Sequence, residues 1–159
     1  MQRYVAVVGG GTCSAEEEAA AERIGVLLAR ADAVLICGGL SGVMEAACRG
    51  ARREGGITVG LLPGTDRAAA NPHVAVAIAT GLGELRNGLV VRAADAVIAV
   101  GGEFGTLSEI ALALKLDKRV IGLGTWDLAR RTDAILRAAT PEDAARLALE
   151  ERAGERRGG

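Results

Sequence analysis

The chain has 159 residues, half of them apolar, which is enough for one domain with a sizeable core and not for two. Its net charge is −1 and its only aromatics are Tyr4, Phe104 and Trp126. That excludes a broad basic footprint or a base-stacking platform, so a small molecule rather than nucleic acid is the expected partner.

In chain order, short β-rich runs alternate with longer helical patterns, the signature of βαβ units around a parallel sheet. A first strand covers Tyr4–Val8, and a helix over Ala15–Ala31 places Ile24, Leu27, Leu28 and Ala31 on one face, with Ser14 as its cap. Ala33–Cys37 reads as the second strand. Gly42–Glu54 is the second helix, ended by Gly55-Gly56, and Thr58–Leu62 is a third strand stopped by Pro63. The long loop "PGTDRAAANPH" precedes a weaker strand over Val74–Ala79 and a helix over Gly83–Ala94. Ala96–Val100 is a strong strand, and Thr106–Leu116 is a helix with apolar residues on more than one side. Ile110, Leu112, Leu114 and Leu116 spread too far round it for a monomer to bury them all, which predicts a homodimer or homotetramer. Val120–Leu123 and Ala134–Arg137 are further strands. Thr140-Pro141-Glu142-Asp143 combines a cap, a first-position proline and dipole-matched acids at the start of a closing helix. The domain is expected over residues 1–153, with 154–159 as a disordered tail. The expected fold class is a single-domain, Rossmann-like, doubly wound α/β protein.

No apolar run approaches the ~20 residues that span a bilayer, so no membrane partner is expected. Cys13, Cys37 and Cys48 have no metal-ligand spacing and cannot all pair, and no basic-then-apolar leader opens the sequence. A reduced, cytoplasmic protein without a metal site follows.

Three glycine turns stand where a strand gives way to a helix: "VVGGGTCS" at 7–14, "ICGGLSG" at 36–42 and "AVGGEFGT" at 99–106. In a parallel sheet all three gather at the carboxyl edge, where ligands bind and where helix N-termini offer N–H groups to an anion. The candidate cradle is Gly10, Gly11, Gly38, Gly39, Gly42, Gly101, Gly102, Gly105 and Thr106, and a phosphate-bearing ligand is its simplest tenant. A P-loop is excluded, since the only lysines, Lys115 and Lys118, are in no Gly-Lys-Ser/Thr context. The dinucleotide fingerprint fails as well, with Ser14 in place of its third glycine and Gly38-Gly39 where a ribose-binding acid belongs. Neither lysine is placed for a pyridoxal Schiff base.

The segments "CGGLSGVMEAACRGARREGGITVGLLP" and "GGEFGTLSE" resemble the LOG family of Rossmann-like proteins, which includes nucleoside 5′-monophosphate phosphoribohydrolases, and the similarity covers nearly the whole chain. The family's Pro-Gly-Gly-x-Gly-Thr-x-x-Glu signature falls on Val100 to Glu109, with Val100 replacing the proline, and its catalytic arginine falls on Arg86. Asn87 stands where the family has a lysine, a departure shared with a sister branch that holds molybdenum cofactor carrier proteins. A more distant resemblance runs to DNA-processing proteins that bind single strands, against which the scarcity of aromatics speaks.

The resemblance implies that Gly101, Gly102, Gly105 and Thr106 hold a 5′-phosphate while Glu109 faces the ribose and stabilises an oxocarbenium-like centre. It also implies that Arg86, beside Asn87, contacts phosphate or the departing base. Read from the residues alone, Thr106 to Glu109 fits a helix capping box equally. Ser41 and Met44 are expected to line the base or phosphate, with Met44 equally at home in the core. The expectation is hydrolysis of a nucleoside 5′-monophosphate to free base and ribose 5-phosphate, catalysed by Glu109 and Arg86 without metal or organic cofactor. The alternative is a carrier or sensor of a phosphorylated pterin or nucleotide that uses the same cradle without turnover.

Overall fold

A computed structural model describes residues 1–128 and 134–150. The expected tail and the end of the expected domain lie outside these residues. The strands are β1 (Tyr4–Gly9), β2 (Val34–Cys37), β3 (Thr58–Leu62), β4 (Val76–Ala79), β5 (Ala96–Val100), β6 (Arg119–Leu123) and β7 (Leu136–Arg137). The helices are α1 (Ala15–Arg30), α2 (Val43–Arg53), α3 (Asn87–Ala93), α4 (Phe104–Lys115) and α5 (Pro141–Leu149). The strands form one sheet in the order β4-β3-β2-β1-β5-β6-β7, and every pairing is parallel. This is the expected Rossmann-like α/β architecture.

A parallel sheet is stable when both faces are covered, and its inner strands then read as continuous apolar runs. β2 and β5 do so, with every residue buried. One core layer packs Val5, Val7, Leu35 and Ile98 under α1, α2 and α5. The other packs Ala6, Val8, Ile36 and Val97 under α3 and α4. Direction of travel reverses at β1: the chain winds outward through β2, β3 and β4, then returns across β1 to place β5 on its other side. This is the switch point at which open α/β sheets form their ligand crevice.

Local chemistry sets most element ends. Ser14 Oγ accepts from Glu17 N at 3.1 Å while Glu17 returns a carboxylate oxygen to Ser14 N at 2.8 Å, a complete capping box. Thr140 Oγ caps α5 by accepting from Asp143 N, and Pro141 opens the helix. α1 and α2 approach backbone to backbone, since a Cβ on Gly25 would stand 2.0 Å from the Ala47 carbonyl oxygen and one on Gly50 2.0 Å from that of Glu22.

Three differences from the sequence reading have physical causes. The helix expected from Gly83 is a 3₁₀ turn over Gly83–Arg86 followed by α3, because Gly83 has a positive φ and donates its N–H to the Pro63 carbonyl. α4 begins at Phe104, two residues early, with Glu103 at the cap and no side-chain cap bond. Thr106 therefore lies inside the helix, and it forms no capping box with Glu109. The apolar spread along α4 is also more internal than expected: Ile110 is fully buried, while Leu112, Leu114 and Leu116 pack half-buried against the second core layer.

Candidate functional site

The carboxyl ends of β1, β2 and β5 bring the three glycine turns to one edge of the sheet. The first two are locked together through the backbone: Val43 N donates to the Gly10 carbonyl at 3.1 Å, and Ser41 Oγ donates to the Gly11 carbonyl at 2.9 Å. Gly42 permits this contact, for a Cβ there would stand 2.2 Å from the Gly10 oxygen. The third turn is tied to the end of β6, where Gly101 N donates to Leu123 O and Thr125 Oγ1 donates to Gly101 O at 2.6 Å.

Between the turns lies a cleft of about 400 Å³, within the range typical of small-ligand sites. Of the residues singled out from sequence, Gly10, Gly11, Gly38, Ser41, Met44, Arg86, Asn87, Gly105, Thr106 and Glu109 line it. Gly101 and Gly102 instead line a smaller neighbouring cavity with Thr12, Glu17 and Trp126. Gly39 faces Leu62 and Gly60, and Gly42 serves the contact between turns. Sequence reasoning passed over Leu40, Pro63, Glu84 and Glu103, which also line the cleft. Only Pro63, as a strand stop beside the long loop, carried any signal of its place.

The chemistry concentrates on two buried side chains. Arg86 is 8% exposed and Glu109 6%, and Arg86 Nη1 stands 4.0 Å from Glu109 Oε1. The guanidinium lies directly over Gly38, where a Cβ would come within 2.7 Å of Nη2. Nη1 also donates to Asn87 Oδ1, while Arg86 Nε is buried and has no hydrogen-bond partner among the described residues. A buried guanidinium left partly unpaired is costly, and an anion in the cleft would offset its charge. Asn87 is joined to α4 by a long contact from Nδ2 to Ser108 Oγ, 3.4 Å, and Ser108 Oγ donates to Gly105 O at 2.6 Å. The uncapped N-terminus of α4 opens on the same cleft through Gly105 and Thr106, adding the positive end of a helix dipole.

Burial pushes the Glu109 carboxyl from an ordinary 4.5 up to about 7, and the nearby Arg86 charge opposes that rise only in part. At neutral pH this group is therefore divided between its acid and carboxylate forms. Among the described residues, no group of three or more His, Cys, Asp or Glu side chains is placed to hold a metal, and no helix is long and apolar enough to cross a membrane.

Comparison with known proteins adds to this geometry. The SLOG cluster4 family matches residues 2–154. An uncharacterised protein of Archaeoglobus fulgidus is 46% identical over 119 residues, 75% of this chain and 78% of that one. The structure of a molybdenum cofactor binding protein from the phototrophic bacterium Rippkaea orientalis superposes with a TM-score of 0.87 at 38% identity, covering 92% of this chain and 95% of the other. The molybdenum cofactor carrier protein of Chlamydomonas reinhardtii superposes with a TM-score of 0.79 at 30% identity, over 92% and 95%.

Two outcomes follow from the Arg86–Glu109 pair. Because the folded-state pKa of Glu109 lies above its unfolded value, its contribution to stability is full below pH 4.5, is lost as pH rises towards 7, and does not return above that. Glu109→Gln should thus stabilise the free protein by up to about 3 kcal/mol at pH 8 and by little at pH 4, in urea denaturation at the two pH values. Gly38→Ala should displace the flexible end of Arg86 rather than the backbone, so stability should change by less than about 1 kcal/mol. Affinity for a phosphate monoester, read by calorimetry, should fall about tenfold or more as the charge-assisted bonds are lost.

Proposed function

Since the chain belongs to the SLOG cluster4 family, we propose that its cleft holds a phosphorylated pterin, the molybdenum cofactor, as cargo and releases it unchanged. The observation that carries this reading is the buried Arg86–Glu109 pair in the cleft wall. Arg86 supplies a cation in the cleft wall for phosphate. Glu109, desolvated and facing that cation, is poorly suited to give the full negative charge that an oxocarbenium-like centre requires. The similarity to carrier and binding proteins of this cofactor along nearly the whole chain supports the same conclusion.

In this reading Arg86, Asn87, Thr106 and the backbone of Gly105 hold the phosphate. Ser41 and the backbone of Gly10, Gly11 and Gly38 meet the polar edge of the ring system, and Met44 packs on its face. Gly39, Gly42, Gly101 and Gly102 shape the turns around it. Hydrolysis of a nucleoside 5′-monophosphate is the second reading, favoured by the presence of both Arg86 and Glu109 in one cleft.

Anaerobic incubation with cofactor released from a molybdoenzyme, followed by gel filtration and metal analysis, should leave molybdenum and pterin with the protein, and Arg86→Ala should lose both. Adenosine, guanosine, cytidine and uridine 5′-monophosphates should yield no free base. Base release that drops by about 100-fold in Glu109→Gln, as for loss of an electrostatic stabiliser, would replace the carrier with a hydrolase.

The proposed homo-oligomer rests on a different face from the one α4 suggested. Leu82, Leu85 and Leu89, on the turn leading into α3 and on α3 itself, are exposed, Leu85 to 80%. Exposed leucines at this helical spacing offer an apolar surface for a second copy of the chain. Sedimentation velocity at micromolar concentration should show a dimer or tetramer, with Leu85→Lys shifting it towards monomer. A monomeric wild-type protein would refute self-association.

A further inference from the structure

The long loop between β3 and β4 contains a buried polar residue that the cleft itself does not use. Asn71 is 8% exposed, and it lies thirty-one residues from the glycine turn that it grips. Its Nδ2 donates to the Leu40 carbonyl at 2.8 Å, its backbone N–H donates to the Gly39 carbonyl at 2.9 Å, and its Oδ1 accepts from His73 N at 3.0 Å. One residue thus holds two consecutive peptides of the second glycine turn, Gly39 through its backbone and Leu40 through its side-chain amide.

Opposite Asn71, the turn rests on β3. A Cβ on Gly39 would come within 2.9 Å of Leu62 Cδ2, and one on Gly60 within 3.0 Å of the Gly39 Cα. The turn is gripped between the strand and the loop. Its neighbouring residues Gly38, Leu40 and Ser41 line the cleft, and the Arg86 guanidinium lies on Gly38. A shift of this turn by a fraction of an ångström alters both the anion-binding wall and the bed of the guanidinium. Groups that must hold a ligand need such support from residues that never touch it.

We propose that Asn71 is a positioning residue for anion binding: its side-chain amide fixes the Gly38–Ser41 turn and, through Gly38, the place of the Arg86 guanidinium. The inference rests on the reading of the cleft as a phosphate site.

The same loop offers an internal control. Thr58 Oγ1 donates to His73 O at 2.7 Å and accepts from Ala75 N at 2.8 Å, tying down the far end of the loop without bonding the glycine turn. Thr58→Val loosens that end of the loop and removes no bond made by the Asn71 amide itself. Asn71→Ala removes the bond to Leu40, and Asn71→Asp keeps the shape but can donate to Leu40 only while its carboxyl group is protonated.

Titration of the full chain with inorganic phosphate, followed by the amide resonances of Gly38 and Thr106, separates these roles. Asn71→Ala should weaken phosphate about tenfold, the loss expected when one buried bond no longer holds a binding wall. Thr58→Val should lower the melting temperature without changing phosphate affinity. Asn71→Asp should bind like the wild type at pH 5 and lose affinity relative to it as pH rises to 8. Equal losses in Asn71→Ala and Thr58→Val would make Asn71 a general loop tie, and unchanged affinity in Asn71→Ala would overturn the proposal while phosphate binding by the wild type stands. A wild-type chain that binds no phosphate overturns the anion reading of the cleft and this inference with it.

Discussion

The pairing of β1 with β5 is the constraint on which the site depends. Paired residues of the two strands are ninety-one positions apart in sequence, yet the strands run side by side from Val5 opposite Ala96 to Gly9 opposite Val100. That register puts the ends of both strands level, so the first and third glycine turns emerge at the same height. β2, paired with β1 on its other side, delivers the second. Each turn alone is a tight connection between a strand and a helix. Held level by a sheet buried on both faces, they become three walls of one cleft.

The electrostatics of that cleft are unusual for a buried place. A guanidinium and a carboxylate share the wall at 4.0 Å, a distance that gives attraction without a direct bond. Replacing such a pair by apolar side chains often costs nothing or even stabilises a protein, so its presence is not explained by folding. The arrangement is better understood as a binding site awaiting an anion: the Arg86 guanidinium lines the cleft, and desolvation keeps Glu109 partly protonated, so the carboxylate competes weakly for the cation. A phosphate entering the cleft would meet a guanidinium already desolvated and placed, a form of preorganisation that lowers the cost of binding.

Close packing of small residues carries this logic through the rest of the molecule. Gly25 and Gly50 bring α1 and α2 into contact over one face of the sheet, and Gly42 brings the first and second turns together. At each contact a methyl group would have to displace backbone. The cleft is therefore framed by segments that cannot slide independently, and its few adjustable parts are the ends of side chains such as Arg86.

Much of the fold was legible in the sequence, because the signals for it are local. Alternating apolar runs, the Ser14 and Thr140 caps and the Gly55-Gly56 stop act within a few residues, and the parallel α/β architecture follows from their order. The start of α4 was misplaced because Thr106 and Glu109 match the spacing of a capping box, while the helix in fact begins on Phe104. The gathering of the glycine turns at one edge was also legible, since parallel strands leave no other arrangement. Which glycines face the cleft was not. Gly38 carries the Arg86 guanidinium while its neighbour Gly39 turns towards Leu62, and nothing in the pair "GG" distinguishes them. Arg86 was legible only through the family resemblance, and Asn71 not at all, because burial and a hydrogen-bond partner thirty-one residues away at Leu40 leave no periodic trace. The sequence by itself determined the elements and the edge at which they open. Tertiary structure alone decided which side chains are desolvated there, because that depends on sub-ångström approach between segments that only the assembled sheet brings together.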